Sequence, residues 1–177
     1  MKQCIFLGDS LIEFGDWNTL LPEFRIENRG RAGETVEELA TRLGGEIETA
    51  GEADHLLLMS GTNNLLMGDE HFPAIFESML RIIPVLLPDT TVTVTSLLPM
   101  SADWLAAGDV IRINAALGAV AAKNNSHFLD IHGLFQRRCK GDDCFTMDGV
   151  HLSDSGYRIW ADGLRSHFKR LERLLTP

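Results

Sequence analysis

The chain has 177 residues, 45% of them hydrophobic and 23% charged, with a net charge of -9. This length buries one good core and is too short for two ordinary domains, so a single domain over residues 1–177 is expected. An acidic chain has no electrostatic reason to seek nucleic acid or an anionic membrane.

The first element is Lys2 to Leu7, which reads as a buried strand and leads directly into Gly8-Asp9-Ser10-Leu11. Its apolar run, Cys4 to Leu7, is short and carries no cationic n-region of the kind a targeting signal has, and no segment approaches the roughly 20 apolar residues of a membrane helix. A cytoplasmic protein without membrane insertion is the expectation. Ser10 stands at the carboxyl end of the strand, the edge at which open α/β sheets bind ligands. At this point it is either a nucleophile or a helix cap.

Phe24 to Asn28 makes a short second strand. From Thr35 to Leu43, Val36, Leu39, Ala40 and Leu43 share one helical face. Thr35 followed three residues later by Glu38 is a capping-box pattern. His55 to Ser60 is apolar nearly throughout, as a central strand covered on both faces should be. Phe72 to Leu87 has helical spacing, with Pro84 expected to bend or shorten it. Val92 to Thr95 is a β-branched strand, Asp109 to Lys123 a helix, His127 to Leu129 a last short strand, and Asp154 to about Leu174 a final helix. Arg165, Lys169, Arg170 and Arg173 there read as a solvated face. Five strands alternating with helices imply a parallel sheet in a three-layer α/β/α sandwich, flavodoxin-like in outline.

Three cysteines, an odd and small number, argue against a disulfide framework. Reduced thiols are expected at Cys139 and Cys144, although two cysteines in one short loop could pair under oxidation. No metal or organic cofactor is expected; at these cysteines in particular, a metal site would want more ligands at regular spacing.

The strand ends are where the chemistry gathers. Ser10 follows the first strand, Asn28 to Thr35 with Gly33 follows the second, and Gly61-Thr62-Asn63-Asn64 follows the third. Asp148-Gly149-Val150-His151 precedes the last helix. Each segment has a plain structural reading: a cap at Ser10, a turn glycine at Gly33, a turn at Asn63, a surface ion pair at Asp148 and His151. Their joint occurrence at one edge points to catalysis. A serine hydroxyl needs a base within hydrogen-bond reach, and a neutral imidazole suits that task at neutral pH. A carboxylate bonded to the other ring nitrogen holds the imidazole in one tautomer. Asp130 and His132 form a rival pair, with Asp130 read as a turn residue.

Along essentially its whole length the chain resembles the GDSL esterase/lipase family of the SGNH hydrolase superfamily, whose four blocks occur here in order. The resemblance implies the SGNH hydrolase fold, a Ser10-His151-Asp148 triad, and an oxyanion hole made by Ser10, Gly33 and Asn63. Where family members mostly carry aspartate after the block-three asparagine, this chain has Asn64. The implied function is a serine esterase acting on small-molecule esters of short to medium acyl chains or acetyl groups through an acyl-serine intermediate. Carbohydrate O-acetylesterase and lysophospholipase or thioesterase activity fit the same mechanism. An acyltransferase or a flavodoxin-like binding module are the alternatives from other classes. The expected pocket comprises Asp9, Leu11, Asn64, Leu65, Met100, Trp104 and Val150, with Trp104 open between substrate contact and core packing. A monomer or small homo-oligomer is expected.

Overall fold

A computed structural model describes residues 1–100, 105–106, 108–141 and 143–175. Five parallel strands, β1 (Lys2–Gly8), β2 (Phe24–Gly30), β3 (His55–Met59), β4 (Thr91–Thr95) and β5 (His127–Leu129), lie in the order β2-β1-β3-β4-β5. β1 and β3 are central. Their interior residues, Cys4 to Leu7 and Leu56 to Met59, are inaccessible to solvent, and helices on both faces explain why these strands read as unbroken apolar runs. Among the described residues, no helix is long and apolar enough to cross a membrane.

The helices are α1 (Ser10–Glu13), α2 (Trp17–Leu20), α3 (Val36–Ala50), α4 (Thr62–Leu66), α5 (Pro73–Leu86), α6 (Asp109–Lys123), α7 (Ile131–Arg138) and α8 (Asp154–Leu175). α3, α5 and α6 pack on one another as one layer; α2, α7 and α8 form the other. On the α8 side, Phe6 meets Trp17 and Phe168, and Trp17 meets Trp160 edge-on. This aromatic cluster ties the strand that delivers Ser10 to the helix that follows His151.

Several elements differ from their sequence reading. α3 runs past Leu43 through Gly44 and Gly45 because Ile47 continues its buried face. Its capping box, Thr35 with Glu38, is formed in both directions. Pro84 falls within the last turn of α5 and does not end it; the ring forgoes one amide bond to the preceding turn, and only Val85 and Leu86 follow it in the helix. α4 lies in the segment that reads as the turn after the third strand, and α7 in one to which the sequence reading assigns no element. Cys139 and Cys144, expected as reduced thiols, are joined in a disulfide, because the turn between them sets their Cα atoms 5.9 Å apart, within the bridging range.

Candidate active site

Ser10 owes its place to two neighbours. A side chain on Gly8 would put its Cβ 1.9 Å from the carbonyl oxygen of Met59, so only glycine lets β1 and β3 close together here. Asp9 is the N-cap of α1, its Oδ1 accepting from the Leu11 N–H at 3.0 Å. Ser10 is therefore the first helical residue and not the cap. Its own N–H belongs to the first turn, where no intrahelical acceptor exists. Asp9 is wholly buried, and its Oδ2 has no well-formed hydrogen bond among the described residues, though the Thr62 hydroxyl lies close. Burial pushes its carboxyl up to about 6, against the opposing pull of the Leu11 N–H.

Asp148 and His151 sit on a small hairpin closed by the Phe145–Leu152 bridge and by the Thr146 N–H donating to the His151 carbonyl at 2.8 Å. Asp148 Oδ1 accepts from the N–H groups of Val150 and His151, both at 2.9 Å, and from the Thr146 hydroxyl at 2.8 Å. Its Oδ2 stands 2.6 Å from His151 Nδ1. The His151 ring first, then these backbone donors, hold Asp148 well below the usual carboxylate range. An ionised carboxylate can only accept, so Nδ1 carries the ring proton. That leaves the Nε2 lone pair facing Ser10 Oγ at 2.9 Å.

Gly33 precedes α3 with φ 78°, the left-handed region that favours glycine. The flanking amides are engaged: Ala32 N–H with Glu13, Glu34 N–H with the Arg31 carbonyl. Asn63, on α4, donates one amide hydrogen to the Glu34 carbonyl at 2.9 Å; a side-chain amide carries a second donor hydrogen besides. Asn64 lies inward. Its Oδ1 accepts from Val36 N–H, and its Nδ2 donates to Glu37 at 2.8 Å and Asp69 at 2.9 Å.

The pocket expectation needs correction. Asp9, Leu11, Asn64 and Leu65 are at most 2% exposed, so they form the floor and supports of the site and offer no surface to a substrate. Met100 and Val150 are half-buried, Met100 against the core and Val150 beside Asp148 through its N–H; Trp104 lies outside the described residues. His132 and Asp130 are accounted for otherwise: Asp130 caps α7 through the Gly133 N–H, while His132 is buried, which lowers its basicity. The sequence reading missed Phe14, whose exposed ring lies 5.5 Å from the His151 ring. Its signal was the four-residue spacing from Ser10, one helical turn.

A parallel α/β/α sandwich with a serine, a histidine and an aspartate in line at the carboxyl edge defines an SGNH-type hydrolase fold. The chain matches the GDSL-like Lipase/Acylhydrolase family over residues 6–159 and belongs to it, a family of hydrolases acting on esters. No curated protein sequence matches it. Its fold is similar to that of a GDSL-like lipase from Bacteroides thetaiotaomicron, at 21% identity and TM-score 0.75, covering 96% of this chain and 89% of that one. A Streptococcus pneumoniae structure described as a candidate platelet activating factor superposes with TM-score 0.80 at 22% identity, over 93% of this chain and 82% of that chain. A variant of Axe2, an acetyl xylan esterase from Geobacillus stearothermophilus, has TM-score 0.76 at 17% identity, over 92% of both chains.

Proposed function

We propose that the protein is a serine esterase that cleaves short-chain carboxylic esters, acetyl esters foremost, through an acyl-Ser10 intermediate. The observation that carries this reading is the continuous hydrogen-bonded line from Ser10 Oγ to His151 Nε2 and from His151 Nδ1 to Asp148. His151 takes the hydroxyl proton as Ser10 Oγ bonds to the ester carbonyl carbon. The negative charge that forms on the former carbonyl oxygen is met by the N–H groups of Ser10 and Gly33 and the second amide hydrogen of Asn63. Collapse breaks the bond to the alcohol, which leaves with the proton from His151. Water then attacks the acyl-serine, giving its proton to His151; the acid departs and Ser10 regains its hydrogen.

Short acyl groups are supported by the packing. Leu11 and Leu65, which would line a deep acyl channel, are sealed in the core. The fold-similar Axe2 is described as an acetyl xylan esterase, which names an acetyl ester as its substrate. The test is labelling by a fluorophosphonate together with turnover of p-nitrophenyl esters from acetyl to palmitoyl. Labelling lost in Ser10→Ala and kcat/KM greatest at acetyl or butyryl is the expected result. Equal labelling of Ser10→Ala would sink the nucleophile, and a preference for palmitoyl would sink the short-chain reading.

A further inference from the structure

The three proposed oxyanion donors come from three segments: Ser10 from the end of β1, Gly33 from the loop after β2, and Asn63 from α4 after β3. Electrostatic stabilisation of this kind works only when the donors are held in place before charge develops. One side chain connects those segments. Arg42, on α3, is nearly buried, with 10% of its side chain exposed, and its partner Glu34 has 6%.

The guanidinium grips the Glu34 carboxylate with a fork, Nε to Oε1 at 2.5 Å and Nη2 to Oε2 at 2.6 Å. Nη2 also donates to the Arg29 carbonyl at 2.9 Å, at the end of β2. At 3.4 Å it reaches the Gly8 carbonyl, two residues before Ser10, which accepts in addition from the Arg31 N–H at 2.9 Å. Nη1 faces Glu46 at 3.4 Å, one turn further along α3. Glu34 in turn directly follows Gly33, and its carbonyl is the acceptor that anchors Asn63. Thus the residue next to Gly33 is held by Arg42 through its side chain and holds Asn63 through its backbone.

We propose that Arg42 is a positioning residue of the oxyanion hole, fixing the Gly33 N–H and the Asn63 amide against the Ser10 N–H by way of Glu34. The proposal rests on the triad and oxyanion assignment above. Stability alone is a poor reason for this pair, since burying two charges costs several kcal/mol per ion before their attraction is counted. A rigid fork with five donors suits a place where a carboxylate and two carbonyls must be kept at fixed spacing. Lysine keeps the charge but can neither fork nor span those acceptors.

The test is Arg42→Lys, alone and in the Asn63→Ala background, assayed on p-nitrophenyl acetate well below the melting temperature. Positioning predicts a fall in kcat of roughly 10- to 100-fold, a part of what losing a whole donor does. KM should stay within about threefold, and inhibition by a boronic acid, which mimics the tetrahedral adduct, should weaken in step with kcat. Once Asn63→Ala has removed a positioned donor, Arg42→Lys should have a clearly smaller effect, because the two act as a unit. Glu34→Gln keeps the carbonyl that binds Asn63 and one Arg42 contact, so it should show a weaker version of the same pattern. It decides the matter if Arg42→Lys does not fold. A lowered melting temperature with kcat and boronate inhibition unchanged, or an equal factor in both backgrounds, would overturn the proposal. Should Asn63→Ala leave kcat intact, the oxyanion assignment falls and the proposal with it, while fluorophosphonate labelling of Ser10 reports separately on the nucleophile.

Discussion

Asn64 is held by three partners, and they favour an amide over the aspartate that the family resemblance leads one to expect there. The side-chain amide donates to two carboxylates, Glu37 and Asp69, while its oxygen accepts from Val36 N–H at the start of α3. An aspartate here keeps the oxygen's role but turns the buried donor into a third carboxylate, beside the exposed Glu37 and the half-buried Asp69. Asn64→Asp should therefore lose about 2 to 4 kcal/mol of stability at neutral pH, read from chemical denaturation, and recover part of it as the solution is acidified. A loss independent of pH would show that charge repulsion is not the cause. Phe14 calls for another test. In the proposed mechanism the alcohol oxygen of the tetrahedral adduct faces His151 to receive its proton, which would set the ring beside His151 against the leaving group. Phe14→Ala should lower kcat/KM for phenyl acetate about 5- to 20-fold and for ethyl acetate hardly at all, as loss of a ring contact worth about 1 kcal/mol or more implies. Equal losses on both esters would reduce Phe14 to a support for His151.

At the level of elements, the strands and the long helices could be read because each shows enough of its period. β1 and β3 are uninterrupted apolar runs, and α3 announces itself by Thr35, Glu38 and the Val36-Leu39-Leu43 face. α4 could not be read, since its five residues span little more than a turn and hold two asparagines. α7 carried its signal in Asp130, whose carboxylate caps Gly133 N–H, but a glycine and a histidine in its first turn masked the pattern. The Ser10-His151-Asp148 line and the proposed donors are legible in the sequence as short strings, because the chemistry proposed for them demands particular residue types. The Arg42–Glu34 link is not, because nothing local in two turns of helix reveals which carbonyls a guanidinium will reach. The disulfide belongs to this scale too. It closes a six-residue loop between the end of α7 and the hairpin that carries Asp148 and His151. In the chain-entropy account a loop that short contributes about 2 kcal/mol. Adding a reductant should lower the melting temperature, and Cys139→Ser with Cys144→Ser should remove that sensitivity; a melting temperature indifferent to reductant would mean that the bridge adds no stability.

Across the whole molecule, the buried ionisable groups set how stability follows pH, and they pull in opposite directions. His167 lies on the buried face of α8, its Nδ1 accepting from Arg170 at 3.1 Å and its Nε2 3.1 Å from the Thr93 hydroxyl. Burial first, then the Arg170 charge, pushes it down to about 4 from an ordinary 6.5. Between those values the unfolded chain binds the extra proton, so stability is complete above pH 6.5 and falls as pH drops toward 4, by about 3 kcal/mol. His55, buried and stacked on Phe168, and His127 are lowered by burial as well and add to this loss. Asp9 has the opposite sign. Its carboxyl, raised from 3.8 to about 6, favours the protonated folded state, so its contribution is lost as pH rises through that window and returns on acidification. From pH 7 to pH 4 that return amounts to about 2 kcal/mol, which offsets most of what His167 gives up. Wild-type stability should thus decline only gently between pH 6.5 and pH 4. Asp9→Asn, which keeps the acceptor for the Leu11 N–H, removes the offset and should make the decline steeper by about 2 kcal/mol. His167→Gln should flatten or reverse the decline. Urea denaturation of the three proteins at pH 4, 5, 6 and 7 separates these contributions, and an Asp9→Asn curve parallel to the wild type would show that the carboxyl beneath Ser10 is already ionised throughout this range.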